Sequence, residues 1–249
     1  MTLFHMETAH PSWHAALNEA LSKMDPAYLE NLYHTSDWLP GPRLMFNAFS
    51  LPLDQTQYVL LGESPYPRAA SANGYAFWDA AVNELWSETG LSKPVNRATS
   101  LRNIIKMLLI AEGQLNSDEA TQLAISQLNK HSLVKTNADL FNNFLSRGFL
   151  LLNTTPVLRS GNVQKDARAW HPFISHILNF IFENRPHAQL ILLGNIANAI
   201  DKLVTHREIK RFYAEHPYNI SFINNPKVID FFRPLHLLTI CHPEIKKIE

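Results

Sequence analysis

Four short apolar runs, each of strand length and each ending in turn-forming or polar residues, constrain this chain more than any other feature. They are Tyr58 to Leu61, Phe149 to Leu152, Leu190 to Leu193 and Leu235 to Ile240. Helical patterns alternate with them, over Trp13 to Met24, Ser100 to Ala111, Asp118 to Asn129, Asn137 to Arg147 and Pro172 to Asn184. Ser100 and Asn137 stand where helix start signals belong, and Pro186 closes the helix before the third run. The alternation predicts an α/β fold: three layers, α/β/α, around a central four-stranded, mainly parallel sheet. No internal repeat, low-complexity tract or linker interrupts the 249 residues, so one domain over 1–249 is expected.

The polar chemistry gathers after the strands. GESPYP follows the first run, NTTPVLRSG the second, GNIAN the third and CHPE the fourth. In open α/β sheets ligands bind outside the carboxyl ends of the strands, so that edge is the expected site. Apolar residues at 46% and charged residues at 18% fit a folded chain rather than a disordered one. A single cysteine, Cys241, excludes an intramolecular disulfide and a four-thiolate iron-sulfur cluster held by this chain alone. The N-terminal segment lacks a basic start followed by an apolar run, and no stretch approaches the ~20 apolar residues of a membrane span. A cytoplasmic protein without a cleaved signal is expected, with no cofactor and no metal.

Charges balance, 22 against 22, which gives none of the strongly basic footprint that drives phosphate binding. Arg207, Lys210 and Arg211 cluster, as do Lys246 and Lys247, but such runs are usually solvated faces. No HExxH, P-loop or dinucleotide glycine motif is present.

The segment from Gly62, GESPYP continuing as RAASANGYAFW to Trp78, resembles the GQDPYHGPGQAHGLAFS motif of the first family of uracil-DNA glycosylases. Upstream, Ser12-Trp13 and LPGPRLMFNAFSLPLDQ resemble that family's Trp-containing first helix and its PPxxxxFNAF entry segment. Downstream, SLRNIIKML resembles SLKNIYKEL, and GFLLLNTTPVLRSG followed by Trp170 resembles GVLLLNxxLTVRxG and its Trp. Several separated motifs in family order, from about residue 12 to residue 194, make the resemblance specific.

The resemblance implies a glycosylase that flips a nucleotide out of the duplex and holds its base in a snug pocket. Phe77 corresponds to the ring that stacks beneath the base. Asn153 corresponds to the asparagine whose amide donates to the position-4 carbonyl and accepts from N3–H, a pattern cytosine reverses. Tyr66 corresponds to the tyrosine that collides with the methyl of thymine. Ser100 matches one phosphate-contacting serine, and Asn195 stands where the family has another. Each has a structural alternative: core phenylalanine, turn-capping asparagine, or turn-proximal tyrosine.

Two positions depart from the family. Ser64 occupies the place of the carboxylate that stabilises the sugar cation and orients water, and Pro67 replaces the histidine ending that motif. Glu63 is the adjacent candidate carboxylate. A further histidine, from an HPSPLS motif, hydrogen-bonds the departing uracil. His242-Pro243 is favoured for it because it follows the strand-like LHLLTIC, although this requires a long insertion. His216-Pro217 sits nearer the family spacing but follows EIKRFYAE, which reads as helix. Segment 206–234 is the candidate replacement for the family's apolar wedge.

The expected function is hydrolysis of uracil or a related base from DNA, in base excision repair, by a monomer acting on single- or double-stranded DNA with weakened activity. The alternative is a catalytically silent descendant that binds DNA, a base or a protein through the same pocket. A nucleoside hydrolase is disfavoured because its usual carboxylate cluster is not visible.

Overall fold

A computed structural model describes residues 4–35 and 37–240. In chain order the regular elements are helices α1 (His14–Ser22) and α2 (Pro26–His34), then strand β1 (Tyr58–Gly62). A small hairpin follows, β2 (Trp86–Ser87) and β3 (Gly90–Leu91), before helices α3 (Lys93–Arg97), α4 (Thr99–Ala111), α5 (Gln122–Gln127) and α6 (Asn137–Ser146). Strand β4 (Phe149–Asn153), helix α7 (Val163–Asn184), strand β5 (Gln189–Leu193), helix α8 (Ala197–Asp201), strand β6 (Arg211–Ala214) and helix α9 (Pro226–Phe232) complete the set. Four strands form one sheet in the order β4-β1-β5-β6, with all three pairings parallel.

Side chains of a strand alternate between the two faces of a sheet, and here both faces are covered, which is why the strands read as unbroken apolar runs. Val59, Leu61, Leu150, Leu152, Leu190 and Leu192 point into one core, built with α1, α2 and α7. Leu60, Phe149, Leu151, Ile191 and Leu193 point into the other, built with α4, α6 and α9. This is the expected three-layer α/β/α arrangement.

The fourth strand is Arg211–Ala214, not Leu235–Ile240. His236 takes a left-handed backbone, φ 48°, which breaks the extended run at its start. Leu237 and Leu238 then both join the core on the α4, α6 and α9 side, whereas a strand would send them to opposite faces. Their backbone is satisfied outside the sheet: Asn143 Nδ2 donates to the carbonyls of Leu237 and Thr239, each at 2.9 Å, and Leu238 N–H donates to Glu112 at 2.8 Å. Arg211–Ala214 pairs with β5, while the Phe212 ring packs on Phe231 with centroids 4.6 Å apart.

Helix boundaries shift for local reasons. The Asp118 to Asn129 pattern contracts to α5, capped by Thr121. Thr136, not Asn137, caps α6, forming a reciprocal capping box with Asp139. Helix α7 begins well before Pro172 and carries it internally, at the cost of one backbone hydrogen bond. Ala98 holds the cap position of α4, so the Ser100 hydroxyl does not cap that helix.

Candidate active site

The carboxyl ends of β1 and β4 lie side by side, with Gly62 directly opposite Asn153. A Cβ at Gly62 would sit 2.6 Å from Asn153 Oδ1 and 2.8 Å from the Ala76 Cβ, so glycine is required for the asparagine side chain to lie there. Asn153 is 4% exposed. Sheet-like pairing continues past the strands: Thr154 N–H donates to Gly62 O (2.9 Å), and Thr155 N–H and the Thr154 hydroxyl both donate to Glu63 O (3.0 Å each). The backbone under Glu63 and Ser64 is thereby tied to β4. The Glu63 side chain is exposed and Ser64 is half-buried.

Ala76 N–H donates to Leu151 O at 3.0 Å and brings the following residue, Phe77, to the same edge. Phe77 has φ 64°, a conformation that costs a bulky residue about 1–3 kcal/mol and persists only where the surroundings impose it. The Tyr66 hydroxyl supplies one such restraint by donating to Phe77 O at 3.1 Å. Burial pushes the Tyr66 phenol well above its ordinary range, the Asp79 carboxylate adds to this, and Arg68 opposes it. Tyr66 therefore remains a hydrogen-bond donor at neutral pH. The entry segment packs behind this turn: Asn47 Nδ2 donates to Asn73 O at 2.7 Å, and a Cβ on Gly74 would fall 1.9 Å from Leu44 O.

The histidine at this edge is His216. Its ring lies 5.9 Å from that of Phe77, centroid to centroid, inclined by 34°. Gly194, at the end of β5 with φ 77°, admits it: a Cβ there would come within 2.7 Å of the His216 Cβ. The strand β6 that delivers His216 is the one whose sequence reads as helix, and the strand expected before His242 does not form. His242 itself lies outside the described residues. Tyr218 N–H donates to His216 Nδ1 at 3.0 Å, which assigns the proton of the neutral ring to Nε2. Burial lowers the His216 pKa, and the Glu63 carboxylate partly opposes that. Asn103, on α4 and buried, pins the turn by donating from Nδ2 to Pro217 O at 2.8 Å.

Ser100, in the first turn of α4, lines a cavity of about 580 Å³ beside Tyr66. Asn195 is exposed beside Gly194 at the same edge but does not line that cavity. Sequence reasoning missed Asn103 and Tyr218 as supports of the histidine turn. Their only signal was adjacency, since Tyr218 follows His216-Pro217 and Asn103 lies in the SLRNIIKML segment.

No family model matches the chain. The wild-type UNG crystal structure from Nitratifractor salsuginis is similar over 95% of both chains, with 38% identity and a TM-score of 0.90. The chain belongs to the uracil-DNA glycosylase family. A uracil-DNA glycosylase of Chlamydia trachomatis is 30% identical over 78% of this chain and 73% of its own length. One from Pseudomonas syringae is 29% identical over 85% and 81% respectively. Mimivirus uracil-DNA glycosylase, at 18% identity and a TM-score of 0.58, shares the fold. Among the described residues no helix is long and apolar enough to cross a membrane.

Proposed function

We propose that this member of the uracil-DNA glycosylase family hydrolyses the N-glycosidic bond of uracil in DNA, with turnover weakened by Ser64. The observation that carries the reading is the convergence of Asn153, Phe77, Tyr66 and His216 on one edge of the sheet. A flipped uracil stacks on Phe77, its edge is read by the Asn153 amide, and Tyr66 blocks a methyl at carbon 5. As the bond to the sugar breaks, its electron pair passes into the uracil ring and negative charge grows on the carbonyl between the two ring nitrogens. His216, neutral and protonated on Nε2, is suited to donate a hydrogen bond to that oxygen.

Water then adds to the sugar carbon, and its proton ends on the released base. A carboxylate beneath the sugar would stabilise the cation and hold this water; the Ser64 hydroxyl can hold water but carries no charge. Loss of a positioned base typically costs ~10²–10⁴ in rate. Glu63 is exposed and close enough to act on the His216 charge, which makes it the candidate substitute. Ser100 and Asn195 are assigned to phosphate contacts. Ile220, 72% exposed just beyond His216-Pro217, is assigned as the apolar wedge of segment 206–234. The protein is assigned to the cytoplasm as a monomer.

The test is incubation with a single-stranded oligonucleotide carrying one uracil, followed by alkali. Strand breakage at uracil and none at thymine in the same place is expected. Uracil-dependent binding without breakage would return the pocket to a silent role.

A further inference from the structure

The 580 Å³ cavity beside Tyr66 is large enough for a nucleotide, since ligand pockets run to ~300–1,000 Å³. Tyr66 is shared: it lines the cavity and its hydroxyl holds Phe77, so the cavity adjoins the base pocket. Tyr218, 67% exposed, lines the same cavity. Its position is fixed on both sides of the Cα, because its N–H is held by His216 Nδ1 at 3.0 Å and its carbonyl accepts from Asn103 Nδ2 at 3.4 Å. An exposed aromatic side chain on a backbone held from both sides is the kind of platform on which unpaired bases stack.

The remaining chemistry of the cavity suits a phosphodiester. Arg97 and Ser100 line it. The one carboxylate in its wall, Asp79, is turned to the protein: it accepts from the exposed Arg68 guanidinium at 3.1 Å and from Ala81 N–H at 2.9 Å, and its side chain is 2% exposed. Its charge is thus neutralised and hydrogen-bonded rather than presented to an anion.

We propose that this cavity is a subsite for the nucleotide next to the flipped uracil, with that neighbour's base stacked on Tyr218 and its phosphate against Arg97 and Ser100. The inference rests on the glycosylase reading of the adjoining pocket. Two consecutive bases then leave the helical stack, so the cost of unstacking both is offset by the ring beneath each.

The test uses labelled single-stranded oligonucleotides with a non-hydrolysable 2′-fluorinated deoxyuridine, flanked on either side by a normal nucleotide or by a stable abasic analogue. Fluorescence anisotropy should show that removing the neighbouring base on one side weakens wild-type binding by roughly 10-fold. Tyr218→Phe should keep that discrimination, and Tyr218→Ala should lose it. Equal binding of base-bearing and abasic neighbours on both sides, or unchanged discrimination in Tyr218→Ala, would overturn the subsite. The base pocket is read separately, by replacing the fluorinated uracil with thymine. Loss of that contrast with the neighbour effect intact would sink the glycosylase reading and leave the subsite standing.

Discussion

Gly62 shows how one missing side chain sets the site. With Asn153 Oδ1 and the Ala76 Cβ both closer than 3 Å to where its Cβ would be, a side chain there must turn the Asn153 amide aside and push Ala76 away. Gly62→Ala is expected to cost about 1–3 kcal/mol, the usual range for overpacking, and to abolish uracil release by displacing Asn153. Thermal denaturation and the alkali assay check the two parts separately. His216 is the second residue whose surroundings decide its chemistry. Burial holds its pKa below the ordinary 6.5 and Glu63 pulls it back up, so Glu63→Gln should lower it further, as an NMR titration of the imidazole would show. The folded state resists protonating this ring. Its contribution to stability is therefore fully present above pH ~6.5 and is lost as pH falls through the lowered pKa.

Among elements, β6 and the turn after it carry the most consequence. Three of the four expected strands form where expected, because strands buried on both faces have to be continuous apolar runs. Arg211–Ala214 escaped that pattern: an edge strand of four residues needs only one covered face, and Phe212, packed against Phe231, and Ala214 supply it. Leu235 to Ile240 carried the apolar signal without the strand, since those leucines are buried by side-chain capping from Asn143 and Glu112 rather than by a ladder. That exchange is why sequence reasoning favoured His242 over His216. Phe77, Tyr66 and Asn153 stand out in the sequence because motif order survives around them, and the fold brings them to one sheet edge. The support from Asn103 does not stand out, since a buried asparagine on an amphipathic helix gives no sign of what it will hold. Asn103→Ala would leave the carbonyls of the 217–219 turn without their donor. A stability loss of about 1–3 kcal/mol is expected, together with a fall in kcat larger than any rise in KM as His216 loses its mounting.

At the scale of the whole molecule, the sheet edge depends on the layer behind it. Arg159, six residues past Asn153 in the loop leaving β4, donates from Nε to Asp166 at 3.0 Å and from Nη1 to Asn31 at 3.0 Å. Tyr28 donates to the same carboxylate at 2.9 Å and accepts from Trp170 Nε1 at 3.0 Å. This buried network ties α2, the β4–α7 loop and α7 together. Arg159→Met should destabilise by about 3–5 kcal/mol because it strands the Asp166 charge, a loss that chemical denaturation would register. None of this was visible in a composition whose charges merely cancel.

Under the proposed function, the base pocket is intact and lacks only the carboxylate. Single-turnover release of uracil from single-stranded DNA, compared between wild type and Ser64→Asp, tests it most directly. Slow release by wild type and an increase of up to ~10²-fold in Ser64→Asp are expected. Rapid release by wild type that Glu63→Gln abolishes, with no gain in Ser64→Asp, would contradict that reading.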